Sequence, residues 1–303
     1  MMRKREFDLL ALGEILLRLS PPVNERLTRG DAFQKQAGGA ELNVVSGVSL
    51  LGLRTGIISK VPANDLGSYI QNRVRFCGVS DDYLVYDKTK DSRLGIYYYE
   101  YGAHPRKPNV IYDRKNTAFA DISIEDFPEE MFRAARCFHT TGITLALGQK
   151  TRETAIEMMK RFKENGTLIS FDVNFRGNLW TGEEARECIE QILPFVDVFF
   201  CSEDTARLTF KKEGTVQEMM KSLTKDYPGR GSIFLRAMDL PSDSRPACVV
   251  SCNAHDPSAS GLALYGRAAP PRGSEYRAYQ CTCKLTSLLA LPHASDSRAA
   301  RGS

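Results

Sequence analysis

Two rhythms of apolar and polar positions alternate along the chain. Leu42, Val45, Val48 and Leu51 recur at the spacing of one helical face, and Gly52 ends the run. Residues 55–61 then read as a strand, and 65–76 as a second amphipathic helix with Ile70, Val74 and Phe76 turned inward and Gly78 closing it. Upstream, 7–17 reads as an opening strand whose apolar run is interrupted near its end by Gly13 and Glu14. Residues 82–87, 93–101 and 109–113 are short, β-branched and tyrosine-rich. The Lys-Thr-Lys-Asp-Ser and Gly-Ala-His-Pro turn clusters between them predict a small β-sheet excursion. Beyond it strands and helices alternate. Residues 137–143 are a strand, 151–165 a helix with Ala155, Met159 and Phe162 on one face, and 168–174 a strand. Thr181 and Glu184 then frame a capping box for a helix to 193, before a strand at 196–201. Apolar strands joined by helices imply a three-layer α/β fold, its mostly parallel central sheet covered on both faces. Ligands of such sheets sit beyond the carboxyl ends of the strands.

The paired glycines Gly38 and Gly39 permit a tight turn and a close backbone approach just before the first helix. Asn43 lies one turn inside that helix mouth, where its amide suits sugar hydroxyls; a plain helix start with a solvated Asn43 fits the spacing equally well. The same stretch carries a family likeness. Gly38-Gly39-Ala40-Glu41-Leu42-Asn43, with Gly52, Gly56 and Asn64-Asp65-Leu66-Gly67, resembles the first signature of the ribokinase-like (PfkB-type) carbohydrate kinases. Glu41 is the residue more typical of 2-keto-3-deoxygluconate kinases, whereas Val45 and Pro62 depart from the commoner pattern.

The resemblance implies a ribokinase-like fold, with the β excursion of about 82–115 as a lid over the sugar. It implies substrate contacts from Gly39, Asn43, Tyr97, Tyr112 and Arg114, and a backbone contact from Gly142 and Ile143. Asp172-Val-Asn-Phe-Arg176 resembles the D-x-N-x-R run that deoxygluconate kinases place at an acidic sugar. Arg114 and Arg176 converging on one pocket would suit a carboxylate, since a guanidinium donates two parallel bonds to it; taken singly, each reads as a surface ion pair. Ser202, Glu203 and Asp204, with Thr205, stand where the family has an Asn-x-x-Glu element around Mg2+ and the phosphates of ATP. A helix N-cap at Ser202 followed by first-turn acids explains them without catalysis.

The likeness runs over about residues 7–228. The family's Gly-Ala/Ser-Gly-Asp run, whose Asp takes the hydroxyl proton, does not occur among the 303 residues; Ser258-Ala-Ser-Gly261 is followed by Leu262, so no catalytic residue is identified. Residues 229–303 hold one Lys (Lys284) and one Glu (Glu275), with Arg, Ser, Ala and Pro in excess, unlike the chain before them. A frameshifted reading frame would produce this break, and a natural interaction tail is the alternative. Only 232–236 and 285–291 are apolar enough to pack, so the rest of this atypical tail is expected to be loose or disordered.

The net charge of +4 has no sustained basic stripe behind it, which argues against nucleic acid. The basic start leads straight into a strand pattern, so neither a signal peptide nor a membrane helix is expected, and the reading is cytoplasmic. Cys77, Cys137, Cys188 and Cys201 sit singly among apolar neighbours, as buried free thiols do. Cys281 and Cys283 are separated by one residue rather than the two of zinc knuckles, so no metal site is expected there. The function expected is ATP-dependent phosphorylation of a sugar acid such as 2-keto-3-deoxygluconate. Fructokinase or ribokinase specificity and a non-catalytic sugar-binding remnant are the alternatives. The partners are the sugar acid and a nucleotide, and the resemblance allows a homo-oligomer through the lid.

Overall fold

The computed structural model describes residues 5–23 and 25–227, together with the backbone of 232–236 and 248–250. In chain order the first half comprises β1 (Phe7–Leu12), β2 (Leu16–Ser20), β3 (Gln34–Gly38), α1 (Ala40–Leu50), β4 (Thr55–Pro62), α2 (Asp65–Phe76), β5 (Leu84–Asp87), β6 (Ile96–Glu100) and β7 (Asn109–Asp113). The second half comprises α3 (Met131–Ala134), β8 (Ala135–Thr141), α4 (Gly142–Ala146), α5 (Gln149–Glu164), β9 (Leu168–Asp172), α6 (Gly182–Ile192), β10 (Val198–Ser202), α7 (Glu203–Phe210), α8 (Val216–Asp226), β11 (Ser232–Arg236) and β12 (Cys248–Val250).

Alternation along β1 builds the layers. Leu9 and Ala11 enter one core with Leu42, Val45 and Val48 of α1 and Ile70 and Val74 of α2. Leu10 and Leu12 enter the other with Phe132, Met159 and Phe162. A strand apolar on both faces must be central, and β1 lies between β8 and β4 in a sheet ordered β12-β11-β10-β9-β8-β1-β4-β5. All neighbours in it pair in parallel except β11 with β12, which are antiparallel. The expected three-layer α/β architecture is therefore present.

Local signals hold. Thr181 and Glu184 exchange both capping-box bonds at the start of α6, at 2.7 and 3.2 Å, and the Asn64 carboxamide caps α2 by accepting from Leu66 N and Gly67 N. The expected apolar segment 232–236 is β11, paired in register with β10, so the central sheet continues past 228; the segment 285–291 and the pair Cys281 and Cys283 lie outside the described residues. Cys137, Cys188 and Cys201 are buried free thiols and Cys77 is half-buried. Burial pushes the first three above the usual thiol range. Among the described residues no helix is long and apolar enough to cross a membrane.

Several expectations change. Leu51, counted on the apolar face of the first helix, is its C-cap and 54% exposed, and the strand expected over 137–143 ends at Thr141, where Gly142 and Ile143 begin α4. Residues 7–17 are not one strand: the chain leaves the central sheet at Gly13 and Glu14 and continues as β2 of a second sheet, ordered β3-β2-β6-β7. Gly13 is needed at this corner, because a Cβ there would fall inside the Glu41 carboxyl group. The excursion of 82–115 divides accordingly. Its first run is β5, the edge of the central sheet beside β4, whereas β6 and β7 join β2 and β3 to form the lid. Lastly, Phe76 is 77% exposed, with the Arg73 guanidinium 4.5 Å from its ring centroid. It stands about 200° round the helix from Val74, off the inward face.

Candidate functional site

The carboxyl edge of the central sheet is set by register. Thr141 at the end of β8 pairs with Asp172 at the end of β9, and Ser202 at the end of β10 pairs with Arg236 of β11. Around this edge stand most of the residues singled out from the sequence. Gly38 ends β3 and Gly39 is the N-cap of α1, whose exposed Asn43 donates its backbone N–H to the Gly39 carbonyl at 3.1 Å. No side chain caps α1, so its opening turn presents backbone N–H groups, as helix N-termini do at anion and hydroxyl sites. Gly142 begins α4, and a Cβ there would fall against the Val173 carbonyl; the β8–α4 and β9 turns pack this closely only with glycine. The Ile143 N–H is taken by its own cap, Thr141 Oγ1, at 3.2 Å.

The lid reaches over the glycine turn at this edge. Tyr97 and Tyr112 are cross-strand partners on β6 and β7, their rings stacked with centroids 5.8 Å apart. A Cβ on Gly38 would collide with the Tyr97 hydroxyl, which places that hydroxyl directly over the Gly38–Gly39 turn. Burial pushes the Tyr97 phenol above its usual range, and the charge of Arg18 pulls it back. Arg18 itself lies buried against the rings of Tyr99 and Tyr101, at 4.3 and 5.3 Å, and donates to Ser20 at 3.0 Å.

Two buried carboxylates join these parts. Glu41, 2% exposed in the first turn of α1, accepts from Thr141 Oγ1 at 2.7 Å and Thr144 Oγ1 at 3.0 Å, so it ties the Gly38–Gly39 turn to the Gly142 turn. Burial pushes its carboxyl above the usual range, while those two hydroxyls and the charge of Arg114 favour the ionised form. Glu14, 5% exposed, accepts from Arg114 Nε at 3.0 Å, from Arg114 Nη2 and from Thr117 Oγ1 at 2.7 Å. Arg114 is therefore no isolated cation. Reading the sequence singled out neither the Glu14 bond nor the two threonines; the one available signal was an acid inside an apolar run, which must find a partner if buried.

Arg176 lies further along the edge, half-buried in the turn after β9, where its carbonyl accepts from Leu179 N at 2.9 Å. Ser202 caps α7 by accepting from Thr205 N at 3.2 Å, Glu203 pairs with Arg207 at 2.8 Å, and Asp204 is exposed. This is the plain helix-start arrangement. Among the described residues no group of three or more His, Cys, Asp or Glu is placed to hold a metal ion.

Comparison with known proteins follows the same outline. The model of the pfkB family carbohydrate kinases matches residues 7–229. The 2-dehydro-3-deoxygalactonokinase of Haloferax volcanii is 34% identical over 232 residues, 77% of this chain and 72% of its own length. A crystal structure of 2-dehydro-3-deoxygluconokinase from Thermotoga maritima superposes with a TM-score of 0.74 at 32% identity, over 81% of this chain and 77% of that one. The 5-dehydro-2-deoxygluconokinase of Clostridium beijerinckii is 25% identical over 60% of this chain, which spans 53% of that protein. With the family's match covering most of the chain and a relative 34% identical over 77% of it, this chain belongs to the pfkB family of carbohydrate kinases.

Proposed function

We propose that the chain carries the sugar-acid site of an ATP-dependent kinase for 2-keto-3-deoxy sugar acids, with 2-keto-3-deoxygluconate as the preferred ligand. The observation that carries this reading is Arg114, its side chain 13% exposed and held at the root of the lid on Glu14, whose backbone carbonyl packs against Gly39. Glu14 takes the Nε–Nη2 edge of this guanidinium, and its Nη1 end is left to meet a carboxylate. Gly39 and Asn43 would hold hydroxyls at the mouth of α1, Arg114 and Arg176 the carboxylate, and the Gly142–Ile143 turn would make a further backbone contact. Tyr97 and Tyr112 would cover the bound sugar and exclude water from the transferred phosphoryl group. ATP supplies that group when bound, with Mg2+ spreading the developing charge. Ser202 and Glu203 are taken by the cap and by Arg207, so exposed Asp204 is the member of that trio left to reach magnesium through water. A second copy pairing along β7, whose five residues are all exposed, belongs to the same reading.

The second reading is a sugar binder without turnover, favoured by the lack of the Gly-Ala/Ser-Gly-Asp run in these 303 residues. Calorimetry with 2-keto-3-deoxygluconate beside a coupled ADP-release assay separates the two, since binding without ADP release selects the binder.

Two expected results test the site. Arg176→Ala or Arg114→Ala weakens 2-keto-3-deoxygluconate binding by roughly 1.5–3 kcal/mol, the range for bonds to charged groups, with a neutral ketose little changed. Equal losses for both ligands remove the carboxylate role. Saturating sugar acid also slows hydrogen exchange in β6 and β7, because lid closure suppresses their opening. Unchanged exchange there argues against a lid that closes on this ligand.

A further inference from the structure

We propose that Glu14 is a positioning residue that sets the orientation of Arg114 and locks the root of the lid; the proposal rests on the sugar-acid reading above. Glu14 stands between β1 and β2, where the chain leaves the central sheet for the lid. Arg114 and Thr117 stand just after β7, where it returns. One carboxylate therefore joins the exit and the re-entry of the lid, across 100 residues of sequence to Arg114 and 103 to Thr117. Its two oxygens divide the work: Oε2 accepts from Nε and Nη2 of Arg114, and Oε1 accepts from Thr117. The Nη1 end of the guanidinium donates to no group among the described residues. An arginine gripped along its Nε–Nη2 edge presents its remaining donors in one fixed direction, which is what recognition of a planar carboxylate requires.

The packing leaves the pair little freedom. A Cβ on Gly95 would collide with Leu16 and lie 3.0 Å from Glu14 Oε1, so the turn into β6 sits directly on this carboxylate. Glu41, the other buried acid nearby, acts on Arg114 only through space, since its bonds go to Thr141 and Thr144. Truncating one partner of a buried pair strands the other charge, so an isosteric change is the informative one.

The test uses the full chain, titrated calorimetrically with 2-keto-3-deoxygluconate and with fructose as a neutral ketose. Glu14→Gln keeps the side-chain size and an acceptor for Thr117 but removes the charge. The expected result is roughly tenfold weaker sugar-acid binding, because charge-assisted bonds are about twice as strong as neutral ones, with fructose nearly unaffected. In an Arg114→Ala background Glu14→Gln adds no further loss, as expected of two residues acting as a unit. Without any sugar, amide exchange at 114–117 rises in Glu14→Gln. Thr117→Val, which leaves the ion pair intact, produces smaller changes of the same kind and decides the matter if Glu14→Gln does not fold. Tighter sugar-acid binding in Glu14→Gln, the result of simple charge neutralisation, overturns the proposal, as do unchanged binding or losses that add to those of Arg114→Ala. A wild-type chain that binds fructose and not the sugar acid overturns the carboxylate reading instead, and the exchange measurement then decides whether Glu14 holds the lid.

Discussion

A chain of these 303 residues releases ADP no faster with 2-keto-3-deoxygluconate present than without it. Phosphoryl transfer depends on positioning and on electrostatic stabilisation, and it needs a group to take the hydroxyl proton. In the family these come together in the Gly-Ala/Ser-Gly-Asp run, a helix start with a carboxylate, and no such run follows residue 228 here. Losing the acid/base group alone costs roughly 10²–10⁴-fold, and losing the backbone donors adds to that. Residues that hold the sugar act on ground and transition states alike, so binding can survive a loss that removes turnover. A coupled ADP-release assay on the intact chain checks this. Robust turnover that one substitution among Asp239, Asp243, Asp256 or Asp296 abolishes would place a catalytic base in the tail.

Acid destabilises the fold through His139 by about 2–3 kcal/mol between pH 7 and pH 4.5. His139 is fully buried in the middle of β8, its Nδ1 2.9 Å from Ser170 Oγ and its Nε2 without a partner among the described residues. Burial lowers its pKa from 6.5 to about 4, against a smaller opposing effect from Ser170. The folded value lies below the unfolded one. Between the two the unfolded chain takes up a proton that the folded chain refuses, so stability falls as pH drops through 6.5 and levels off below about 4. Urea unfolding at pH 7.5 and pH 4.5 measures the effect. His139→Gln removes the titrating group, so its stability changes less between these two pH values than that of the parent chain. Equal changes in both would give His139 an ordinary pKa.

Parts of this protein were legible because their causes are local. The face formed by Leu42, Val45 and Val48, the capping box of Thr181 and Glu184, and the apolar segment that became β11 each depend on neighbours within a turn or a strand. Periodicity and cap chemistry report such features directly. The alternation of the longer strands and helices over 137–201, and with it the parallel sheet, follows from the same short-range signals.

What the tertiary structure decided was partnership. No local pattern distinguishes β5 from β6 and β7, since all three are short and β-branched or aromatic. Their division between two sheets depends on β5 reaching β4 while β6 reaches β2. Glu14 in an apolar run announces only that a buried acid will need a donor; that the donors are Arg114 and Thr117 follows from the path of the lid. Spacing determined the layers and the glycine turns, and the residues that resemble the kinase family's signature lie within the same short stretch, because all of these are written within a few residues. Which arginine is held by which acid was left to long-range packing, because a charge pair costs free energy to bury and forms only where the fold brings both partners out of water together.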